Sequence, residues 1–132
     1  ADVSIGSGNF IWSATSLGGA AFSSFDTGRL DGTPGTVNLS GAVIANGLKF
    51  VADGYTVASP TTNDSLALTG TVDVAEGVNG TVSGELAGSN GLTKTGLGTL
   101  VLGGANTFEG NISLNAGKLA FASDSAFGSA SN

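Results

Sequence analysis

With no His and no Cys, the sequence leaves its ten Asp and Glu residues as the side chains able to exchange a proton near neutral pH or bind a hard cation. Carboxylates facing each other across a glycosidic bond supply the acid and the base of glycoside hydrolysis. Two pairs are close enough in sequence to be weighed for that chemistry, Asp73 with Glu76 and Asp26 with Asp31. Asp73 lies between Val72 and Val74, which turns it outward on an alternating strand, and Glu76 precedes Gly77 in a turn. Neither arrangement predicts convergence, so the pairs read as solvated surface charge. The Asp31-Gly32 and Asp53-Gly54 steps read as turns, because the dense Asp/Asn ladder of a calcium loop is missing around them. Gly96-Leu97-Gly98 fails the dinucleotide fingerprint, since Val101 occupies the third glycine position. Asn106 is expected at a corner of the fold, buried, with its amide satisfying backbone groups of the turn. No catalytic, cofactor-binding or metal-ligating residue is expected.

The elements that would position any site are set by the composition. A length of 132 residues with 40% hydrophobic content and a mean hydropathy of +0.27 is enough for one packed domain. Charged residues make up only 11%, whereas Ser, Thr and Asn number 16, 14 and 10, so the polar faces are built from small neutral side chains. Thiol-, imidazole- and zinc-based chemistry is excluded within the chain. The net charge of -6, with Arg29, Lys49, Lys94 and Lys118 scattered along the sequence, excludes a phosphate track and with it nucleic acid as a partner. Apolar runs are only a few residues long, so no membrane insertion is expected. The start at Ala1-Asp2, without Met or a signal-peptide core, reads as a processed end or a fragment boundary.

Glycine interrupts every window long enough for a helix, and the surviving period is two. Apolar doublets recur at Val37/Leu39, Leu48/Phe50, Tyr55/Val57, Leu66/Leu68, Val72/Val74, Leu100/Leu102, Ile112/Leu114 and Leu119/Phe121. The steps between their first members alternate: Val37 to Leu48 and Tyr55 to Leu66 are long, Leu48 to Tyr55 and Leu66 to Val72 short. Leu100 to Ile112 and Ile112 to Leu119 repeat the long and the short step. One of each sums to roughly 17–19 residues, which predicts a β-solenoid of short strands and roughly seven coils. An antiparallel sandwich shares the alternation and is the competing fold. Gly41, Gly70 and Gly104 close three similar strands and are expected to make corners through positive φ. Outward Ser, Thr and Asn are expected to stack in ladders. Residues 1–35 hold Phe10, Trp12, Phe22 and Phe25 with little alternation, and are expected to form a first coil or cap ahead of solenoid coils over 36–132.

Residues 91–121 begin Gly91-Leu92-Thr93-Lys94-Thr95-Gly96, continue through Gly98-Thr99-Leu100, Gly104 and Asn106-Thr107-Phe108, and end Gly117-Lys118-Leu119. This run closely resembles the autotransporter-associated β-strand repeat of secreted passenger regions in Gram-negative type V systems. Phe108 stands where the family carries Tyr, and Asn111-Ile112-Ser113-Leu114 replaces a Thr-rich strand. Two neighbouring segments, Gly47–Val57 and Asp124–Gly128, are similar to a preceding and a following coil. The resemblance implies a right-handed parallel β-helix, no catalytic residues, and a location outside the cell or on the outer surface of a Gram-negative bacterium.

Two functions follow as expectations. The first is a non-enzymatic secreted unit whose ends stack on copies of itself, head to tail, into an extracellular fibre or surface layer. It is motivated by a C-terminus that stops at Phe127-Gly128-Ser129-Ala130-Ser131-Asn132, just as another coil would begin. The alternative is a passenger stalk segment of an autotransporter adhesin, presenting neutral polar side chains to a host surface or glycan.

Overall fold

Alternation at period two puts every second side chain on one face of a strand, and strands too short to pair locally can bury that face by stacking on equivalent strands of the next turn. The computed structural model describes residues 2–5, 10–18 and 20–121, which are all-β and contain no helix. The first turn holds β1 (Asp2–Ile5) and β2 (Phe10–Ser13), followed by two short strands, β3 (Ser16–Leu17) and β4 (Ala20–Ala21). The second runs through β5 (Thr27–Leu30), β6 (Thr36–Ser40) and β7 (Ala42–Ala45), the third through β8 (Gly47–Phe50), β9 (Thr56–Ala58) and β10 (Ser65–Leu68). The fourth holds β11 (Val72–Val74), β12 (Asn79–Val82) and β13 (Glu85–Ala87). Then come β14 (Leu92–Thr95) and β15 (Thr99–Leu102), and finally β16 (Ile112–Leu114) and β17 (Lys118–Phe121).

These strands form three sheets along the sides of a β-solenoid of about five turns. The first sheet is β1-β5-β8-β11-β14-β16, parallel throughout. The second runs β17-β15-β12-β9-β6-β2 in parallel and ends in β3 and β4, which pair antiparallel. The third is β13-β10-β7. In the fifth turn the third side is completed without a strand: Thr107 and Phe108 donate their backbone N–H groups to Leu86 O at 2.9 and 3.1 Å, and Phe108 is buried.

The register corrects the expected coil length. Residues that face each other on neighbouring turns are one coil apart, and the pairs are Thr27 with Gly47, Leu48 with Val72, and Thr99 with Lys118. Phe10 opposite Val37 is the longest of these steps and Thr99 to Lys118 the shortest. A turn therefore takes about 19–27 residues, longer than expected, and there are about five turns rather than seven. The physical reason is that each turn has three inward-facing sides, and the apolar doublets mark only some of them. Ala45, Gly80 and Lys94 occupy inward positions on β7, β12 and β14, and none of these residue types announces a core position.

Glycine in this core makes room for rings. A Cβ on Gly28 would lie 2.8 Å from Trp12 Cη2, and one on Gly80 would lie 2.4 Å from Phe50 Cγ. Trp12 and Phe50 thus fill the interior across from residues that have no side chain of their own. The corner glycines split into two kinds. Gly41 has φ of 76°, as expected, whereas Gly70 and Gly104 are not in the positive-φ region. They are required by close approach: a Cβ there would lie 2.3 Å from Asn46 O and 2.2 Å from Gly84 O respectively. The outward ladder is present, with Thr36, Thr56 and Thr81 in one column. Asp124–Gly128 and the C-terminal end at Phe127-Gly128 lie outside the described residues.

Candidate functional site

Asp73 faces outward on β11 and accepts the Thr95 hydroxyl at 2.8 Å, while Glu76 is exposed in the turn after it. Asp26 accepts the Ser23 backbone N–H at 3.0 Å and the Ser23 hydroxyl at 3.3 Å. Asp31 pairs with Arg29 two residues away. Asp73, Asp26 and Asp31 are thus each engaged by a separate neighbour, and no group of three metal-ligating residues occurs among the described residues. Asp53 accepts the Asn79 backbone N–H at 2.7 Å, so the Asp53-Gly54 step ties one corner to the next turn.

Polar side chains that reach inward serve the backbone. Asn106 is buried, as expected, and its Oδ1 accepts at 2.8 Å the N–H of Leu86, a strand residue of β13 on the preceding turn. Tyr55 is fully buried on the second sheet's side, and its hydroxyl donates to Asp31 O and to Thr33 O, the latter at 3.0 Å. Burial, with the nearby Asp31 charge, holds the Tyr55 hydroxyl above its ordinary pKa of 10.0. Asp64 accepts the Gly41 N–H at 2.8 Å and the Thr61 N–H and hydroxyl at 2.9 and 3.0 Å. Those bonds, led by the Gly41 N–H, hold its carboxyl below the ordinary 3.8 although burial opposes them.

Lys94 is the residue that sequence reasoning misses. By charge it belongs with the scattered surface cations, yet its side chain is 0% exposed. Nζ donates to Gly96 O at 2.9 Å, Ala116 O at 3.1 Å and Thr95 O at 3.2 Å, so all three ammonium protons can be satisfied by corner carbonyls. Thr95 ends β14 and Gly96 follows it, while Ala116 belongs to the corner of the next turn, so the ammonium bridges two turns. Burial lowers the Lys94 pKa from 10.5, against the opposing charge of Asp73. One signal could have found it: Lys94 lies two positions after Leu92 and therefore on the inward side of the same strand.

The surface carries one conspicuous insertion. Residues 59–64 join β9 to β10, where Gly41 alone joins β6 to β7 and Ser83-Gly84 join β12 to β13. Two shallow grooves flank it. One of about 370 Å³ is lined by Ser59, Thr62, Ser83 and Glu85, the other of about 360 Å³ by Ile11, Asn38, Ser40 and Pro60. Their walls are hydroxyls, amides, carboxylates and small apolar groups.

What the interior arrangement can do chemically is fix corners. The family model described as passenger-associated-transport-repeat matches residues 92–121, the segment that contains both Lys94 and its acceptor Ala116. The chain is also similar to the Adhesin BmaC autotransporter of Brucella suis biovar 1 (strain 1330), at 42% identity over 108 residues. That alignment takes in 82% of this chain but only 3% of the relative's length. No solved structure matches. On the repeat at 92–121, and on identity that runs through most of its turns, the chain belongs to the autotransporter passenger-repeat family.

Proposed function

We propose that the chain is a stalk segment in the passenger of an autotransporter adhesin, non-enzymatic, and displayed outside a Gram-negative cell. The observation that carries this reading is the buried polar set. Lys94, Asn106, Tyr55 and Asp64 are all consumed in holding corners, which suits a shaft whose work is to keep its shape. The adhesin relative supports the same reading. Binding to a host surface or glycan would fall to the exposed neutral polar side chains. With Lys94 buried, the surface offers too few cations for a nucleic-acid partner.

The test is retention of the purified chain, multimerised on fluorescent beads, on host epithelial cells and on an array of neutral and acidic glycans. Retention above beads carrying an unrelated acidic protein is expected. Retention equal to that control on every surface refutes direct binding by this segment. A second reading, head-to-tail self-association into a fibre, is favoured by one observation. Leu114 aligns with buried Lys94 in the first sheet, yet is 50% exposed. Monomeric light scattering over a wide concentration range would remove it.

A further inference from the structure

We infer that β3, β4 and Phe22 plug one end of the solenoid, so that neither a further coil nor a second copy of the chain stacks coaxially there through the second sheet. In that sheet each strand from β17 to β2 pairs in parallel with its neighbour, which is what allows turn to follow turn. Beyond β2 the pattern changes. Trp12 pairs antiparallel with Leu17, and Leu17 with Ala20, so the edge that the next coil would need is occupied by the chain doubling back. The Gly18 N–H donates to Ile11 O and the Phe22 N–H to Thr15 O, both at 3.0 Å, which fixes the doubled segment to β2 and to itself.

The doubled segment also crosses the end of the core. β4 lies against β1, the first strand of the first sheet, so β3 and β4 span from one side of the solenoid to another. Beneath them Trp12 and Leu17 are 0% exposed and Phe22 is 5% exposed, with the Trp12 and Phe22 rings edge to face at 5.2 Å. Both residues of β4 are exposed alanines, so its outer side offers another turn only two methyl groups and no large apolar side chain. An unprotected parallel edge over an open core invites pairing between molecules, and an antiparallel fold-over removes that edge. In a longer polypeptide, a shaft reaching this point would therefore be broken by a joint, and the stack would begin anew at β2. The inference stands on this geometry alone and does not depend on the adhesin reading, and it counts against the head-to-tail fibre, which would need this end to accept another copy.

The test uses the whole chain and its single Trp. Trp12 is buried under the plug, so its emission reports whether the plug is closed. In native-state hydrogen exchange, the amides of Phe10–Ser13 are expected to be protected to within about tenfold of those of β9, an interior strand. Protection about a hundredfold or more below β9, as in a free edge, overturns the plug. Leu17→Asp is expected to shift Trp12 emission to the red and to convert a monomer into concentration-dependent oligomers. A variant that keeps wild-type emission and stays monomeric overturns the inference. So does a wild-type chain that oligomerises with Phe10–Ser13 gaining exchange protection in the oligomer. If Leu17→Asp loses its β-sheet circular dichroism, the exchange experiment on the wild type decides alone.

Discussion

Replacing Lys94 by Met keeps most of the stem and removes the ammonium, leaving Thr95 O, Gly96 O and Ala116 O without their donor. A hydrogen bond from a charged donor is worth about 1.5–3 kcal/mol, and an orphaned buried acceptor costs about 1–3 kcal/mol. Against this, burying an ammonium costs several kcal/mol that Met would not incur. Because the substitution empties one side of the interaction and leaves the carbonyls in place, the loss outweighs the relief. The expected net destabilisation is about 2–4 kcal/mol, a urea midpoint lower by roughly 1–3 M. Lys118→Met makes the same chemical change at an exposed position and is expected to stay within about 0.5 kcal/mol of wild type. If the two variants have the same urea midpoint, the corner-bridging role of Lys94 is refuted.

The pH dependence gives an independent reading of the same residue. The folded pKa of Lys94 lies below the ordinary 10.5, so between the two values the unfolded chain holds more protons and stability rises with pH. Tyr55 has the opposite sign. Its folded pKa lies above 10.0, so the folded chain holds more protons there and stability is lost as pH climbs through that value. Wild type is expected to gain from Lys94 up to pH 10.5 while losing to Tyr55 above pH 10.0. The Lys94→Met chain should show only the Tyr55 loss, and parallel alkaline limbs for the two proteins would contradict the assignment.

Three further outcomes follow from the same geometry. Gly80→Ala places a Cβ 2.4 Å from Phe50 Cγ and should cost about 1–3 kcal/mol by overpacking, with Phe50→Leu in the same chain recovering at least half in a double-mutant cycle. Asn106→Ala strands the buried Leu86 N–H and should cost about 1–3 kcal/mol in urea unfolding, whereas a loss under about 0.5 kcal/mol would mean the amide has no corner role. Asp64 contributes stability that is present above pH 3.8 and is lost as pH falls through its lower folded pKa. Thermal midpoints of wild type and Asp64→Asn between pH 5 and 2 should therefore converge toward acid, and a constant offset across that range would count against the bonds from Gly41 and Thr61.

The fold class was legible because stacking demands two things that sequence records plainly, alternation in the strands and small residues at the corners. Doublets such as Leu48/Phe50 and Leu100/Leu102 are inward pairs in the structure. Coil length was not legible, because some sides of each turn are filled by residues that defeat an apolar pattern. Val43 has Ala45 as its inward partner, Val82 has Gly80, and Leu92 has Lys94. Counting doublets therefore skips some sides, and a turn of three sides is summed as if it had two, which makes it too short. The fold-over at β3 and β4 was hidden for a different reason, since strands of two residues are too short to show any period. The candidate site divides the same way. Asn106 could be placed from its corner context, whereas Lys94 could be found only by giving its parity on the strand more weight than its charge.

Those two residues, with the glycines around them, show where a solenoid concentrates its sequence requirements. Within the strands, backbone groups pair with the turns above and below whatever side chains are present, so outward positions are lightly constrained. The column Thr36, Thr56, Thr81 continues as Val101 and Ala120 with no break in pairing. Corners have no such ladder, and turns of unequal length must still fit their corners onto one another. Each mismatch leaves carbonyls or amides that a side chain has to meet, or brings backbones so close that a Cβ cannot fit. Within 92–121, Lys94 and Asn106 do the first, while a Cβ on Gly98 or Gly104 would lie 2.2 Å from a carbonyl oxygen of the turn before. The matched segment 92–121 therefore holds side chains and glycines that set how the turns register.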